Sequence, residues 1–209
     1  MNHSYLKYIA VASMLIDHIG VVFFPHLIIF RVIGRLAMPI FAGELALGYD
    51  RTHDFGAYLR RLFILAVVSQ LPFVLAYETS FLNIVFSLCC ALVFLRLTDK
   101  GNNLAAVFFL AVIFFLPLDS GWVTMLWAYV FRRFGNSNKW AAFLAASFFG
   151  LTFAFFSGFF VFAFSFLGVA CFLFLPKANL PLSLHRHFFY WFYPLHFLLL
   201  YLVKCLFII

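Results

Sequence analysis

The chain has 209 residues, of which 67% are hydrophobic and only 10% charged, with a formal net charge of +7 and a mean hydropathy of +1.08. A soluble domain of this size has no interior large enough for so much apolar side chain, so the composition points to an integral membrane protein. Nucleic-acid binding is excluded as the meaning of the positive charge, because Lys and Arg fall singly or in pairs in short segments between apolar runs.

A membrane-crossing helix needs about 20 residues. The apolar runs predict helices near 5–24, 27–49, 57–77, 81–98, 104–117, 120–134, 140–156, 159–175 and 187–208. The expected fold class is therefore all-α: a polytopic helical bundle of about nine transmembrane helices, forming a single domain over residues 1–209. The first run carries Asp17 and His18 and ends in Phe23, Phe24 and Pro25, which is not the pattern of a cleaved signal peptide. Pro39 is expected to break the second helix and free carbonyls near Glu44, and Pro117 to make a tight hairpin or a partial span at the fifth and sixth.

Charge sets the expected orientation. Lys7, Arg51, Arg60, Arg61, Arg96, Lys100, Arg132, Arg133, Lys139, Lys177 and Arg186 all fall on one side of a nine-helix arrangement. The loops of the other side carry Glu78 and Asp119 but no Lys or Arg. The positive-inside rule makes the basic side cytoplasmic, with the N-terminus in and the C-terminus out. Of the three remaining basic residues, Arg31 and Arg35 are intramembrane and Lys204 is placed to snorkel to the outer interface.

Ionisable residues inside an apolar span are costly and mark functional sites by default. Asp17 and His18 lie in the first helix, and Arg31 and Arg35, four residues apart, share a face of the second. With a rise of about 1.5 Å per residue, His18 falls roughly 20 Å above the cytoplasmic end and Arg35 roughly 12 Å below the outer face. His196, after Pro194 in the ninth helix, falls at a similar depth. A mid-membrane imidazole suits a general base, and an arginine suits an anionic group, an oxyanion or an ion pair with Asp17. Residues 17 and 18 project about 100° apart, so Asp17 is expected to face Arg31 or Arg35 rather than His18. The competing explanation is a buried bond that fastens helices, or, for Arg31, snorkelling to the outer interface. That explanation leads for Ser69, Gln70 and Asn83, and a solvated turn leads for Asp119.

The cysteines (Cys89, Cys90, Cys171, Cys205) show no metal-ligand spacing, and no metal site is expected. No P-loop, GxSxG, HExxH or dinucleotide fingerprint occurs, and no inverted repeat of broken helices points to a secondary transporter.

The runs KYIAVASMLIDHIG and RVIGRLAMPIFAGELALGYDRTHDFGAYLRRLFILAVVSQLPF, followed by LNIVFSL, Asp119 and FYWFYPLHFLLL, resemble the TraX family of inner-membrane proteins. The resemblance runs in order through most of the chain. It departs at Gly43, where the family more often has a bulkier residue, and residues 140–175 carry no motif. It implies a bacterial inner-membrane acetyltransferase that takes acetyl from cytoplasmic acetyl-CoA and modifies an acceptor at the other face. The acceptor it implies first is the N-terminal amine of a pilin subunit. It also implies His18 as the catalytic histidine with Asp17 its motif partner, and Arg35, Asn83, Asp119 and His196 as positions lining the site; on the residues themselves Arg35 is expected to act in catalysis and Arg31 to bind substrate. Lys7, joined by Arg60 and Arg61, would meet the CoA phosphates. O-acetylation of a periplasmic glycan, a transporter and a pilus-assembly protein are the alternatives.

Overall fold

A computed structural model describes residues 4–158, 160–175 and 188–207, whose regular elements are all helices joined by short turns. In chain order the helices are α1 (Ser4–Phe23), α2 (Ile28–Gly34), α3 (Ala37–Arg51), α4 (Phe55–Tyr77), α5 (Ile84–Asp99), α6 (Asn103–Phe114), α7 (Gly121–Phe134) and α8 (Lys139–Ser157). A short 3-10 turn (Phe160–Phe164) leads into α9 (Ser165–Phe174), and α10 (Phe188–Phe207) closes the described chain. Lys177 and Arg186 lie outside the described residues.

Among the described residues, four helices have the length and apolar composition to cross a membrane: Tyr5–Phe23, Phe55–Tyr77, Lys139–Ser157 and Tyr190–Phe207. Their outward faces confirm the kind of solvent they require. Along α8, Leu144, Phe148, Leu151 and Phe155 are exposed, while Ala142, Ala146, Gly150 and Ala154 are buried. The small residues recur every four positions and form the stripe that lets neighbouring backbones approach closely. Against that stripe lies the fully buried Trp127 of α7, whose indole N–H donates to the Ala146 carbonyl at 2.8 Å. Elsewhere Leu104 is 83% exposed and Phe115 82% exposed, which is sustainable in lipid and not in water.

Helix starts follow local chemistry. Asp54, Asn102 and Asn138 cap α4, α6 and α8 by accepting from the backbone N–H groups of Ala57, Ala105 and Ala141. Packing joins α4 to α10, α1 to α2 and α3, α5 to α7, and α3 to both α7 and α9. The C-termini of α3, α5 and α7 meet at one end, where Arg132 pairs with Asp50 at 2.6 Å and with Asp99. Tyr49 adds a 2.8 Å hydrogen bond to Asp99. At the other end, the α4–α5 and α6–α7 loops are pinned together by backbone bonds from Leu82 to Pro117 and from Asp119 to Leu82. Lys204 there pairs with Glu78 at 2.6 Å, rather than reaching alone to an interface.

The second predicted helix is two helices, and the interruption is not where it was expected. Pro39 sits in the first turn of α3, where its missing N–H is harmless, and the chain breaks upstream at Arg35–Leu36. Residue 39 would donate to the carbonyl four residues back, which is that of Arg35, and the proline ring also crowds that carbonyl. The freed carbonyls therefore lie beside Arg35, not near Glu44. The expected helices near 81–98 and 104–117 begin and end within three residues of α5 and α6.

Candidate active site

Asp17 is buried, 6% exposed, between two arginines. The Arg35 Nη2 donates to both carboxylate oxygens, at 3.0 and 2.9 Å, and Arg31 Nη1 donates to Oδ2 at 3.0 Å. Arg35 Nε donates to the Arg31 carbonyl at 3.2 Å, one of the groups around the helix interruption. The Arg35 guanidinium lies 4.4 Å from the ring centroid of Phe162, which covers it from the 3-10 turn. Two guanidiniums thus share one directly bonded carboxylate.

The glycines of the two motifs make this arrangement possible. A side chain at Gly34 would overlap the Cβ and carboxylate of Asp17, and one at Gly20 would overlap Phe30. Asp17 thus reaches the arginines only because α2 presents bare backbone to α1. Gly43, the departure noted above, leaves space occupied by the ring of Phe172 from α9.

Beside the ion cluster stand His18 and His196, both buried, with His18 Nδ1 2.8 Å from His196 Nε2. The His196 Nδ1 lies 3.0 Å from the carbonyl oxygen of Phe192. A carbonyl only accepts, so Nδ1 of His196 carries the proton and donates it. In a neutral ring Nε2 is then a lone pair, and the Nδ1–H of His18 donates to it. His18 is left with its own Nε2 unprotonated, the form a general base requires. Phe197 lies against the His18 ring at a centroid distance of 4.6 Å, and Tyr77 meets it edge-on at 5.6 Å.

The residues named from sequence separate into those brought together and those kept apart. Asp17, His18, Arg31, Arg35 and His196 form one cluster from α1, α2, the interruption after it, and α10. Asp119 interacts electrostatically with Arg35, Asp17 and Arg31, and its carboxylate accepts from the Ser120 hydroxyl at 3.2 Å. Asp119 is half-buried, between the buried Leu118 and Ser120, and burial raises its carboxyl above the ordinary carboxylate range. Asn83 is completely buried and structural: it caps α5 through the Val85 N–H and donates to Gln70 and to the Ala66 carbonyl, tying α5 to α4. Lys7 lies eleven residues before His18, roughly 16 Å along α1, and pairs with Glu44 at 3.4 Å. Arg60 and Arg61 are exposed on the first turns of α4, well away from the cluster. A cleft of about 470 Å³ at the end of the bundle where α3, α5 and α7 terminate is lined by Asp50, Asp99, Tyr129, Arg132 and Arg133, and not by His18.

Of three further participants, two had no warning in the sequence. Phe162 is one of 34 phenylalanines, and nothing marks it. Tyr77 ends an ordinary apolar run. Gly34 carried a signal that was available, since a glycine one residue before an intramembrane arginine is the mark of a close backbone approach.

The family profile described as TraX protein matches residues 2–204. The chain belongs to the TraX family. A curated relative, the uncharacterized protein RP591 of Rickettsia prowazekii (strain Madrid E), is 58% identical over 36 residues, 17% of this chain and 14% of that protein. The matched segment is thus a small part of that relative's length. No solved structure matches the chain. For this TraX-family protein, the matched range includes every member of the ion cluster and both histidines.

Proposed function

We propose that this protein is a membrane-embedded acetyltransferase, and the observation that carries the reading is the hydrogen-bond chain Phe192–His196–His18. That chain presents His18 Nε2 as a base in a buried site, next to two guanidiniums whose charge favours a developing oxyanion. Asp17 has no contact with His18 in this scheme; it neutralises one guanidinium and holds both in place. His196 orients His18 and shares the charge that His18 acquires.

The donor substrate is acetyl-CoA from the cytoplasm and the acceptor is the N-terminal amine of a pilin subunit, as family membership implies. The chain crosses the inner membrane nine times with its N-terminus inside. Lys7, at the mouth, meets a CoA phosphate, and the extended pantetheine arm, roughly 15–20 Å long, matches the distance from Lys7 to His18. Arg60 and Arg61 add positive charge on the same side. Asp119, on the opposite side of the cluster, faces the incoming amine. His18 takes the amine proton as nitrogen attacks the thioester carbon, then returns it to the departing sulfur. The cleft among Asp50, Asp99 and Arg132 does not reach His18, so the route of the thioester lies outside it.

The test is turnover of acetyl-CoA by the purified protein with a synthetic peptide bearing a free N-terminal amine. His18→Ala is expected to lower turnover by about 10²–10⁴-fold. Full activity in that variant removes His18 from its role. Acetylation of a sugar hydroxyl in place of the peptide amine assigns the protein to glycan O-acetylation instead.

A further inference from the structure

The Tyr77 hydroxyl is buried and has no hydrogen-bond partner among the described residues. A phenol taken out of water without a partner is costly, so its position demands a reason. Its ring packs on Phe73 at 5.1 Å and Phe197 at 5.7 Å, and stands edge-on to His18. The hydroxyl interacts electrostatically with Asp17, Arg31, Arg35 and Asp119 but is bonded to none of them. It is therefore an idle donor, held at the meeting point of the base, the ion cluster and the carboxylate on the far side. Two donors of Arg35 are already engaged, Nε by the Arg31 carbonyl and Nη2 by Asp17, so Tyr77 adds a donor that no other group holds. The residues on either side of this point also depart from ordinary backbone. Glu78, next to Tyr77, and Ser120, next to Asp119, both adopt left-handed conformations, with φ of 52° and 57°.

Building on the acyl-transfer reading above, we propose that Tyr77 is a catalytic residue whose hydroxyl donates a hydrogen bond to the carbonyl oxygen of the acyl thioester as that oxygen becomes an oxyanion. The acceptor's lone pair forms the new bond to the carbonyl carbon, and the π electrons move onto the oxygen facing Tyr77. The acceptor's proton goes to His18 Nε2. As the carbonyl re-forms, the carbon–sulfur bond breaks and the thiolate takes the proton from His18. Tyr77 keeps its proton throughout and acts only by hydrogen bonding.

The experiment compares wild type with Tyr77→Phe, which keeps the ring and its packing, using acetyl-CoA and the amine-bearing peptide. The expected result is a fall in kcat of about 10²–10³-fold with KM for acetyl-CoA unchanged. The melting temperature should hold or rise, since the substitution deletes an unsatisfied buried hydroxyl. A fluorinated tyrosine at position 77, a stronger donor, should recover most of the lost turnover. Wild-type turnover in Tyr77→Phe overturns the proposal, as does a loss of turnover accompanied by a lowered melting temperature, which marks a structural hydroxyl. A wild-type protein with no acetyl transfer at all overturns the acyl-transfer reading itself, and this assignment with it.

Discussion

Asp17 shows how one buried side chain answers to its neighbours rather than to its sequence context. A lone carboxylate in hydrocarbon is unfavourable, and two guanidiniums with three hydrogen bonds offset that cost. The balance is one-sided, because removing the carboxylate leaves two cations without a counter-charge. Asp17→Asn is therefore expected to destabilise the protein by about 3–5 kcal/mol, the usual loss on breaking a buried pair. Thermal unfolding in detergent measures it, and a change within experimental error would show the arginines solvated by other means. At the same scale, the adjacency of Asp17 and His18 is misleading. Helical geometry sends them to different partners, one to α2 and the other to α10.

Among the elements, the α1–α2 contact decides whether the site exists. Gly34 lets the two helices close until the Asp17 carboxylate sits against backbone, and the interruption that follows frees Arg35 to turn toward it. Gly34→Ala is expected to force the helices apart, costing about 1–3 kcal/mol as overpacking and lowering acetyl transfer together with stability. Parallel measurements of melting temperature and turnover check this; an unchanged pair of values would mean α2 shifts freely. The break itself is legible in the sequence as a proline effect, and its location follows only from which carbonyl the ring displaces. A proline acts on the carbonyl four residues upstream, so the consequence of Pro39 appears at Arg35. The four-residue spacing of small residues in α8 was equally present in the sequence, but a run so rich in phenylalanine hides it.

At the level of the whole molecule, the bundle has two chemically distinct ends. One gathers Asp50, Asp99, Arg132 and the capped starts of α4, α6 and α8, and the other gathers Glu78, Lys204 and the paired Leu82 and Asp119 loops. If the basic end is cytoplasmic, a cysteine placed at exposed Asn136 should react with a membrane-impermeant thiol reagent only from inside. One at exposed Ser80 should react only from outside. Labelling of intact cells and inverted vesicles reads both, and the reverse pattern would invert the proposed direction of transfer.

Composition, the lengths of the apolar runs and the charges between them determined that this chain is a helical membrane protein, because every backbone polar group in lipid must be satisfied within its own helix. The same local rules placed the boundaries of most helices and singled out Asp17, His18, Arg35 and His196 as residues too costly to be idle. Tertiary structure alone decided which of them meet. The pairing of His18 with His196 spans 178 positions in the chain, and the use of Asn83 as a tie between α4 and α5 depends on which carbonyls come within reach. Neither these contacts nor the roles of Tyr77 and Phe162 leave a periodicity to read, since packing between distant segments is a property of surfaces and not of spacing.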